Sequence, residues 1–306
     1  MALLEFSYQS DILGFEQELC VLLPDPRVYE LDKKGCADPE DLSVLYLLNG
    51  YQGNHLDFVR NTMLPRFLKE SRKKLAVVMP AGLTYYYADM KRGWKYFTYV
   101  AEEVPRIVQS YLHISPKREN TFVGGTSMGG LGALKLALTY PERYAMACSI
   151  SGVTDPVLRS VQAVQERPEL AELFNNIYGE DVEARKHSAD DLMELLEKTA
   201  ASGKPLPKLC QSIGAADYLY DMNVAFRDKA RALGYDLDYY EEEGVGHEWR
   251  FWNREIEKLI ARIPAKPLWS QGRNFYAGTN ELSVRDPRRR GLFERHPPRA
   301  ARFGDQ

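Results

Sequence analysis

The sequence has little of what marks several classes of protein. Only four cysteines occur in 306 residues, and no two of them form a C-x-x-C pair. This is too sparse for a disulfide scaffold and gives no local support for a zinc or thioredoxin-like site. No run of about 18 apolar residues could cross a membrane. No basic segment followed by an apolar stretch opens the chain as a secretory signal would. We therefore predict a cytoplasmic protein that does not insert into a membrane.

A strong overall charge is also missing. The formal net charge is −3, which argues against a dedicated nucleic-acid binder. The charge is uneven, because residues 285–306 hold seven arginines and three acids and the rest of the chain therefore carries −7. We predict that residues 265–306, with eight arginines and four prolines, form a flexible extension. A basic docking segment is the alternative for this region.

Short apolar segments alternate with amphipathic stretches along the chain, which predicts an α/β fold. Such alternation is typical of a mostly parallel central sheet with helices on both faces. Residues 153–206 interrupt the pattern with charged, helical sequence, and we predict that they form a small cap over the strand ends. Residues 1–264 then make one domain. The predicted strands are 18–23, 43–48, 75–79, 121–123, 145–150, 209–213 and 237–240.

A candidate nucleophile lies in the segment Gly125-Thr-Ser-Met-Gly129, which matches the pattern G-x-S-x-G. The pattern alone is weak, but an apolar strand precedes it and an amphipathic helix follows it. A strand, a tight turn and a helix are the parts of a nucleophile elbow, which exposes the serine at the edge of a sheet. We therefore predict that Ser127 is the nucleophile. A phosphate-binding loop is excluded because Gly130-Leu131 stands where Lys-Ser/Thr would be needed.

A serine hydroxyl needs a base to take its proton, and the sequence has five histidines. His247 follows a predicted strand and precedes a helix, so it belongs to the edge where sheets of this class build their sites. A second histidine with metal-ligand spacing is missing beside it, so we predict no metal. Asp217 follows another strand and precedes His247, which makes it the candidate orienting acid. Asp155 and Asp221 are its competitors.

Acyl transfer builds negative charge on the carbonyl oxygen, and backbone N–H groups can stabilise it. The N–H of Met128 is the first candidate, and the N–H of Tyr51 in the loop after strand 43–48 is the second. Gln52 is the alternative to Tyr51. Side chains that are weaker candidates for the walls of a substrate pocket are His55, Tyr86, Trp249 and Trp252.

These residues sit in a set of motifs that resembles the esterase D-type branch of the α/β-hydrolases. The likeness extends from about residue 5 to residue 264 and is greatest to the tributyrin esterase and acetylesterase group, with S-formylglutathione hydrolases and feruloyl esterases as relatives. Asn49 departs from the family, in which His-Gly is usual at this point. The motifs are Leu45-Tyr-Leu-Leu-Asn-Gly50, Tyr87-Ala-Asp-Met90, Glu102-Glu-Val-Pro105, Gly125-Thr-Ser-Met-Gly-Gly130, Ser149-Ile-Ser-Gly152, Asp217-Tyr-Leu-Tyr220 and Gly246-His-Glu-Trp249.

The resemblance implies an α/β-hydrolase fold and hydrolysis of short acyl esters, without a cofactor, by the triad Ser127, Asp217 and His247. Small-molecule esters, including acetylated or feruloylated sugars, are the expected substrates, and homo-oligomers among the relatives make an oligomer plausible. An S-formylglutathione hydrolase-type thioesterase would use the same triad. A non-catalytic binding protein on this fold is the third hypothesis, and it predicts a broken triad.

Overall fold

The computed structural model describes residues 1–24, 42–112 and 114–265. Apart from Ala265, the predicted extension 265–306 lies outside these described residues. In the described part, no helix combines the length and the apolar character that crossing a bilayer requires.

Among the described residues, eight strands form one sheet in the order β1-β2-β4-β3-β5-β6-β7-β8. The pairs β1–β2 and β2–β4 are antiparallel and the remaining pairs are parallel, which confirms the predicted mostly parallel sheet. The sequence did not predict β1, an edge strand with an exposed side and only partly buried apolar residues. The strands are β1 Ala2–Gln9, β2 Glu16–Leu23, β3 Ser43–Leu48, β4 Leu75–Pro80, β5 Thr121–Thr126, β6 Met146–Ile150, β7 Lys208–Gly214 and β8 Leu237–Glu242.

Helices connect the strands and include four between β6 and β7, in the segment 153–206. One turn of π-helix, Tyr99–Glu103, joins two helices just before Pro105. Pro105 cannot donate to the carbonyl four residues earlier, and Arg143 donates to that carbonyl, of Ala101, at 3.1 Å. The helices are α1 Asp57–Asn61, α2 Leu64–Ser71, α3 Tyr96–Thr98, α4 Val104–Leu112, α5 Met128–Thr139, α6 Pro156–Glu166, α7 Ala171–Tyr178, α8 Val182–Arg185, α9 Leu192–Ala201, α10 Tyr220–Ala232 and α11 Trp249–Arg262.

Apolar layers cover both faces of the sheet. Strand β3 is buried along its whole length, and its alternate side chains enter different layers because successive residues of a strand point to opposite faces. Val44, Tyr46 and Leu48 join the layer that contains residues of α4, α5 and α10. Leu45 and Leu47 join the layer that contains residues of α1, α2 and α11. This two-sided burial explains why the inner strands read as continuous apolar runs.

The carboxyl ends of the parallel strands meet at one edge of the sheet. The loop after β3 begins at Asn49, the turn after β5 contains Ser127, and the loops after β7 and β8 contain Asp217 and His247. Ligands of open α/β sheets bind at this edge. The fold therefore gathers the predicted site residues from four separate loops.

Candidate active site

Ser127 lies at a sharp turn between β5 and α5, with a φ of 56°. This left-handed conformation is rare for a residue with a side chain. It is held by the end of β6 and the segment that follows it: the Ser127 N–H donates to the carbonyl of Ile150 at 2.9 Å, and the Ser127 carbonyl accepts from the N–H of Val153 at 3.1 Å. The hydroxyl thus stands at the edge of the sheet in the manner that an elbow requires.

The glycines of the G-x-S-x-G segment are required by close approach. A Cβ atom at Gly129 would lie 1.9 Å from the carbonyl oxygen of Leu48, and one at Gly125 would lie 2.4 Å from the backbone of Gly129. Neither space admits a carbon atom. The tight turn and the adjacent strand β3 therefore need glycine at both positions.

His247 connects the candidate nucleophile to the candidate acid. Its Nε2 atom lies 2.9 Å from Oγ of Ser127, and its Nδ1 atom lies 2.8 Å from Oδ2 of Asp217. Asp217 is buried, and its other oxygen accepts from the N–H of Leu219 at 2.9 Å. A carboxylate held in this way keeps the imidazole in the tautomer whose Nε2 can accept a proton from the serine.

The competing acids lie elsewhere. Asp155 caps helix α6, where its side chain accepts from the N–H of Leu158 at 2.8 Å. Asp221 lies in the first turn of α10. The geometry given by the hydrogen bonds of His247 favours Asp217 over both.

A tight turn after β3 lies beside Ser127. Gly53 donates to the carbonyl of Gly50 at 3.1 Å, and Gln52 between them has a φ of 62°. A Cβ atom at Gly50 would lie 3.5 Å from Cβ of Ser127, so the turn runs directly beside the serine. Tyr51 is the second residue of this turn, where the closing hydrogen bond does not use its N–H.

Asn49 anchors this turn to the loop after β4. Its buried side-chain oxygen accepts from the N–H of Gly82 at 2.8 Å and from the hydroxyl of Tyr87 at 3.2 Å. Its amide group donates to the carbonyl of Gly50 at 2.8 Å. Asn49 thereby connects the backbone of the turn to the loop after β4.

Aromatic rings surround the imidazole. Trp252 meets the ring of His247 edge-on at 4.9 Å and contacts Trp249 at 4.8 Å. Tyr218, which the sequence did not single out, lies 4.8 Å from the His247 ring on another side. Desolvation raises the pKa of Tyr218, while the nearby charge of Arg159 and the side chain of Ser127 oppose that shift. Tyr218 directly follows Asp217, and this adjacency was the signal that could have identified it.

The other predicted pocket residues, Tyr86, His55 and Trp249, have different surroundings. Tyr86 is buried and packs against Tyr51 at 5.9 Å and Phe174 at 5.2 Å, so it links the turn to helix α7. His55 is buried, and its Nδ1 atom lies 3.6 Å from a carboxylate oxygen of Glu18 on β2. Trp249 also contacts Phe58 of α1 at 6.0 Å.

Within residues 1–24, 42–112 and 114–265, no group of three or more His, Cys, Asp or Glu side chains could hold a metal ion. The site consists of a serine, a histidine and an aspartate beside backbone N–H groups. This donor set can carry out nucleophilic attack on a carbonyl carbon.

Comparisons with known proteins agree with this chemistry. An Esterase family model, described as "Putative esterase", matches residues 10–263. The chain is 30% identical over 262 residues to an acetyl esterase from Caldicellulosiruptor saccharolyticus, covering 84% of this chain and 96% of that protein.

Two solved structures from Staphylococcus aureus resemble the fold across 85% of this chain and 97% of each relative. One is the fluorophosphonate-binding serine hydrolase FphF, with a TM-score of 0.75 and 29% identity. The other is an S-formylglutathione hydrolase, with a TM-score of 0.71 and 28% identity. These comparisons confirm the predicted α/β-hydrolase fold and the predicted resemblance to esterases of this family.

Proposed function

Because this chain belongs to the Esterase family, we propose that it is a serine carboxylesterase that hydrolyses short-chain acyl esters through an acyl-enzyme. The observation that carries the proposal is the pair of hydrogen bonds of His247, to Ser127 at 2.9 Å and to Asp217 at 2.8 Å. The three side chains are poised for proton transfer away from the serine hydroxyl. A cytoplasmic location and a homo-oligomeric state stay predictions of the sequence.

In the first step, Oγ of Ser127 attacks the ester carbonyl carbon while Nε2 of His247 takes the hydroxyl proton. The imidazolium that forms is stabilised by Asp217 at Nδ1 and then protonates the departing alcohol. In the second step, His247 takes a proton from water, which attacks the acyl carbonyl. Collapse of that intermediate returns the proton to Ser127 and releases the acid.

The tetrahedral intermediates of both steps carry a negative oxygen. We assign its stabilisation to the N–H groups of Met128 and Tyr51. Met128 begins helix α5, and the first N–H groups of a helix have no partner within it. Tyr51 stands in the turn beside Ser127, with its N–H outside the turn's own hydrogen bond. Each such donor contributes about 3 kcal/mol to transition-state stabilisation in sites of this type.

The preferred acyl group is short. The acetyl esterase among the relatives supports acetyl transfer to water as the main activity, and the bulky rings of Tyr51, Tyr86 and Phe174 crowd the region beside the turn. The solved S-formylglutathione hydrolase favours one second candidate, a thioesterase that uses the same triad. Rates measured side by side on p-nitrophenyl acetate and S-formylglutathione separate the two.

The test is Ser127→Ala, assayed with p-nitrophenyl acetate and with a fluorophosphonate probe. We expect hydrolysis to fall by at least about a thousandfold and labelling to disappear, because removal of the nucleophile leaves only the remaining binding interactions. Ser188→Ala, in the segment before α9, is the matched control and should retain activity and labelling. Hydrolysis that survives in Ser127→Ala with wild-type kinetics would refute the proposed mechanism. An intact Ser127 that neither reacts with the probe nor hydrolyses esters would favour the non-catalytic binding protein.

A further inference from the structure

Arg159 is a buried cation near the candidate site that the proposed hydrolysis does not use. It lies on helix α6, between β6 and β7, and is 9% exposed. Removing a guanidinium from water is costly unless partners compensate for the lost hydration. Its surroundings therefore show what this position could bind.

Two tyrosines connect Arg159 to the reacting groups. The guanidinium lies 5.0 Å from the centre of the Tyr218 ring, and that ring lies 4.8 Å from the ring of His247. The charge of Arg159 also acts on the pKa of the buried Tyr86, which packs against Tyr51 of the turn beside the nucleophile. The ring of Tyr218 thus lies in contact with both the Arg159 guanidinium and the His247 imidazole.

The ionic partner of Arg159 is exposed to solvent. Both terminal nitrogens donate to the carboxylate of Glu166, at 3.1 and 3.2 Å, from the same helix. The Glu166 side chain is 58% exposed, whereas that of Arg159 is 11% exposed. An exposed glutamate recovers its hydration on leaving the pair, while Arg159 remains buried and needs another anion.

We propose that Arg159 is a specificity residue that binds an anionic group of the substrate, which replaces Glu166 as the partner of the guanidinium. The preferred substrates are then esters that carry a carboxylate or a similar anion in the acyl or the alcohol part. The inference rests on the proposed esterase function and adds a substrate class to it.

The other charges near these tyrosines agree with an anionic ligand. Arg167, at the end of α6, is exposed and acts on the pKa of Tyr86 in the same direction as Arg159. Asp217 is the other carboxylate that acts on Tyr218 besides Glu166, and it is engaged by His247. Displacement of Glu166 therefore leaves two arginines beside the tyrosines, and these favour a negative group.

The experiment compares ester pairs that differ only in charge. In the acyl pair, p-nitrophenyl hemiadipate is compared with its methyl-capped ester; in the alcohol pair, 4-acetoxybenzoate is compared with methyl 4-acetoxybenzoate. For each pair, kcat/KM of the anionic ester is divided by kcat/KM of the capped ester, in the wild type and in each variant. Comparing this ratio between proteins cancels the intrinsic reactivity of the esters. The pair that responds identifies the part of the substrate that carries the anion.

We expect Arg159→Gln to lower this ratio by about tenfold or more in at least one pair, because a hydrogen bond to a charged group is lost. Arg159→Lys should restore part of the preference, since the charge stays but the two-pronged geometry does not. Glu166→Gln should raise the ratio, because it weakens the competing internal anion and leaves Arg159 in place.

Arg66→Gln is the matched control, because Arg66 forms an exposed pair with Glu70 of its own helix at 2.7 Å. It removes the same charge and should not change either ratio. Ratios within about twofold of the wild type in both Arg159→Gln and Glu166→Gln would overturn the inference. The proposed esterase function would still hold in that case if the capped esters are hydrolysed in a Ser127-dependent reaction. Loss of every Ser127-dependent reaction in the wild type would overturn both.

Discussion

The hydroxyl of Tyr87 donates to the backbone carbonyl of Asn49 at 3.1 Å and meets the side-chain oxygen of the same residue at 3.2 Å. Both residues are buried, and Tyr87 has a φ of 49°. This contact ties Tyr87 to the residue that directly precedes the turn containing Tyr51. A side chain outside the triad therefore sets the position of a proposed oxyanion donor.

Replacing Asn49 should reduce kcat more than it changes KM. In Asn49→Ala the side-chain bonds to the Gly82 N–H, the Gly50 carbonyl and the Tyr87 hydroxyl are lost, and only the bond from Tyr87 to the backbone carbonyl of residue 49 remains. The turn is then freer to shift away from Ser127. We expect kcat to fall by about ten- to a hundredfold, since part of an oxyanion donor's contribution is removed. Steady-state kinetics on p-nitrophenyl acetate measure the effect, with exposed Asn61→Ala as the control. An equal rise in KM at constant kcat would contradict the positioning role.

Replacing Asp217 should move the proton of the neutral His247 ring from Nδ1 to Nε2. In Asp217→Asn an amide group faces Nδ1 of His247, which favours a proton on Nε2 and prevents that atom from accepting the proton of Ser127. We expect kcat to fall by about 10⁴-fold, the size of this effect in serine proteases. The comparison is Asp155→Asn, which changes the cap of α6 and should leave kcat unchanged. A drop of less than tenfold in Asp217→Asn would reject Asp217 as the orienting acid.

Gly129 should not tolerate a side chain, because a Cβ atom there would lie 1.9 Å from the carbonyl oxygen of Leu48. Gly129→Ala should displace the elbow from β3 and lower the free energy of unfolding by more than about 3 kcal/mol, the scale of severe backbone strain. Urea unfolding of the purified protein gives the value. Gly246→Ala is the control, because a Cβ atom there would lie 3.9 Å from the carbonyl oxygen of Ala216, an ordinary van der Waals contact. Equal stability of the two variants would disprove the steric explanation.

Lys135 should contribute to stability from within the core. Its buried ammonium group donates to the carbonyl of Tyr87 at 3.0 Å and pairs with the carboxylate of Asp190. Removing one member of a buried pair costs about 3–5 kcal/mol, because the other charge stays without compensation. We expect this loss in Lys135→Met, and a smaller loss when Asp190→Asn is added.

Chemical denaturation of the single and double variants measures the coupling between Lys135 and Asp190. The exposed pair of Lys204 and Glu142, 3.0 Å apart, gives the comparison. Lys204→Met should cost less than about 1 kcal/mol, because an exposed pair gains little over hydration. A Lys135→Met variant as stable as Lys204→Met would mean that the buried pair does not support the fold.

Much of the fold follows from local pattern. The six inner strands, β2 to β7, are short apolar runs because both faces of the sheet are covered, and this signal can be read from the local sequence. Strand β1 lies at an edge with much of its length exposed, so its pattern carried little signal. The elbow at Ser127 was also predictable, because steric crowding at a strand–helix turn selects glycines within a few residues.

The sequence by itself determined which residue types follow which strands: a serine in a glycine-rich turn, an aspartate and a histidine after later strands. The tertiary structure alone decided that His247 lies 2.9 Å from a serine 120 residues away and that Arg159 stands beside Tyr218. The reason is physical. Steric limits on a turn act between neighbours in the chain, whereas a hydrogen bond or a buried charge depends on atoms that only the packing of the whole sheet and its helices brings together.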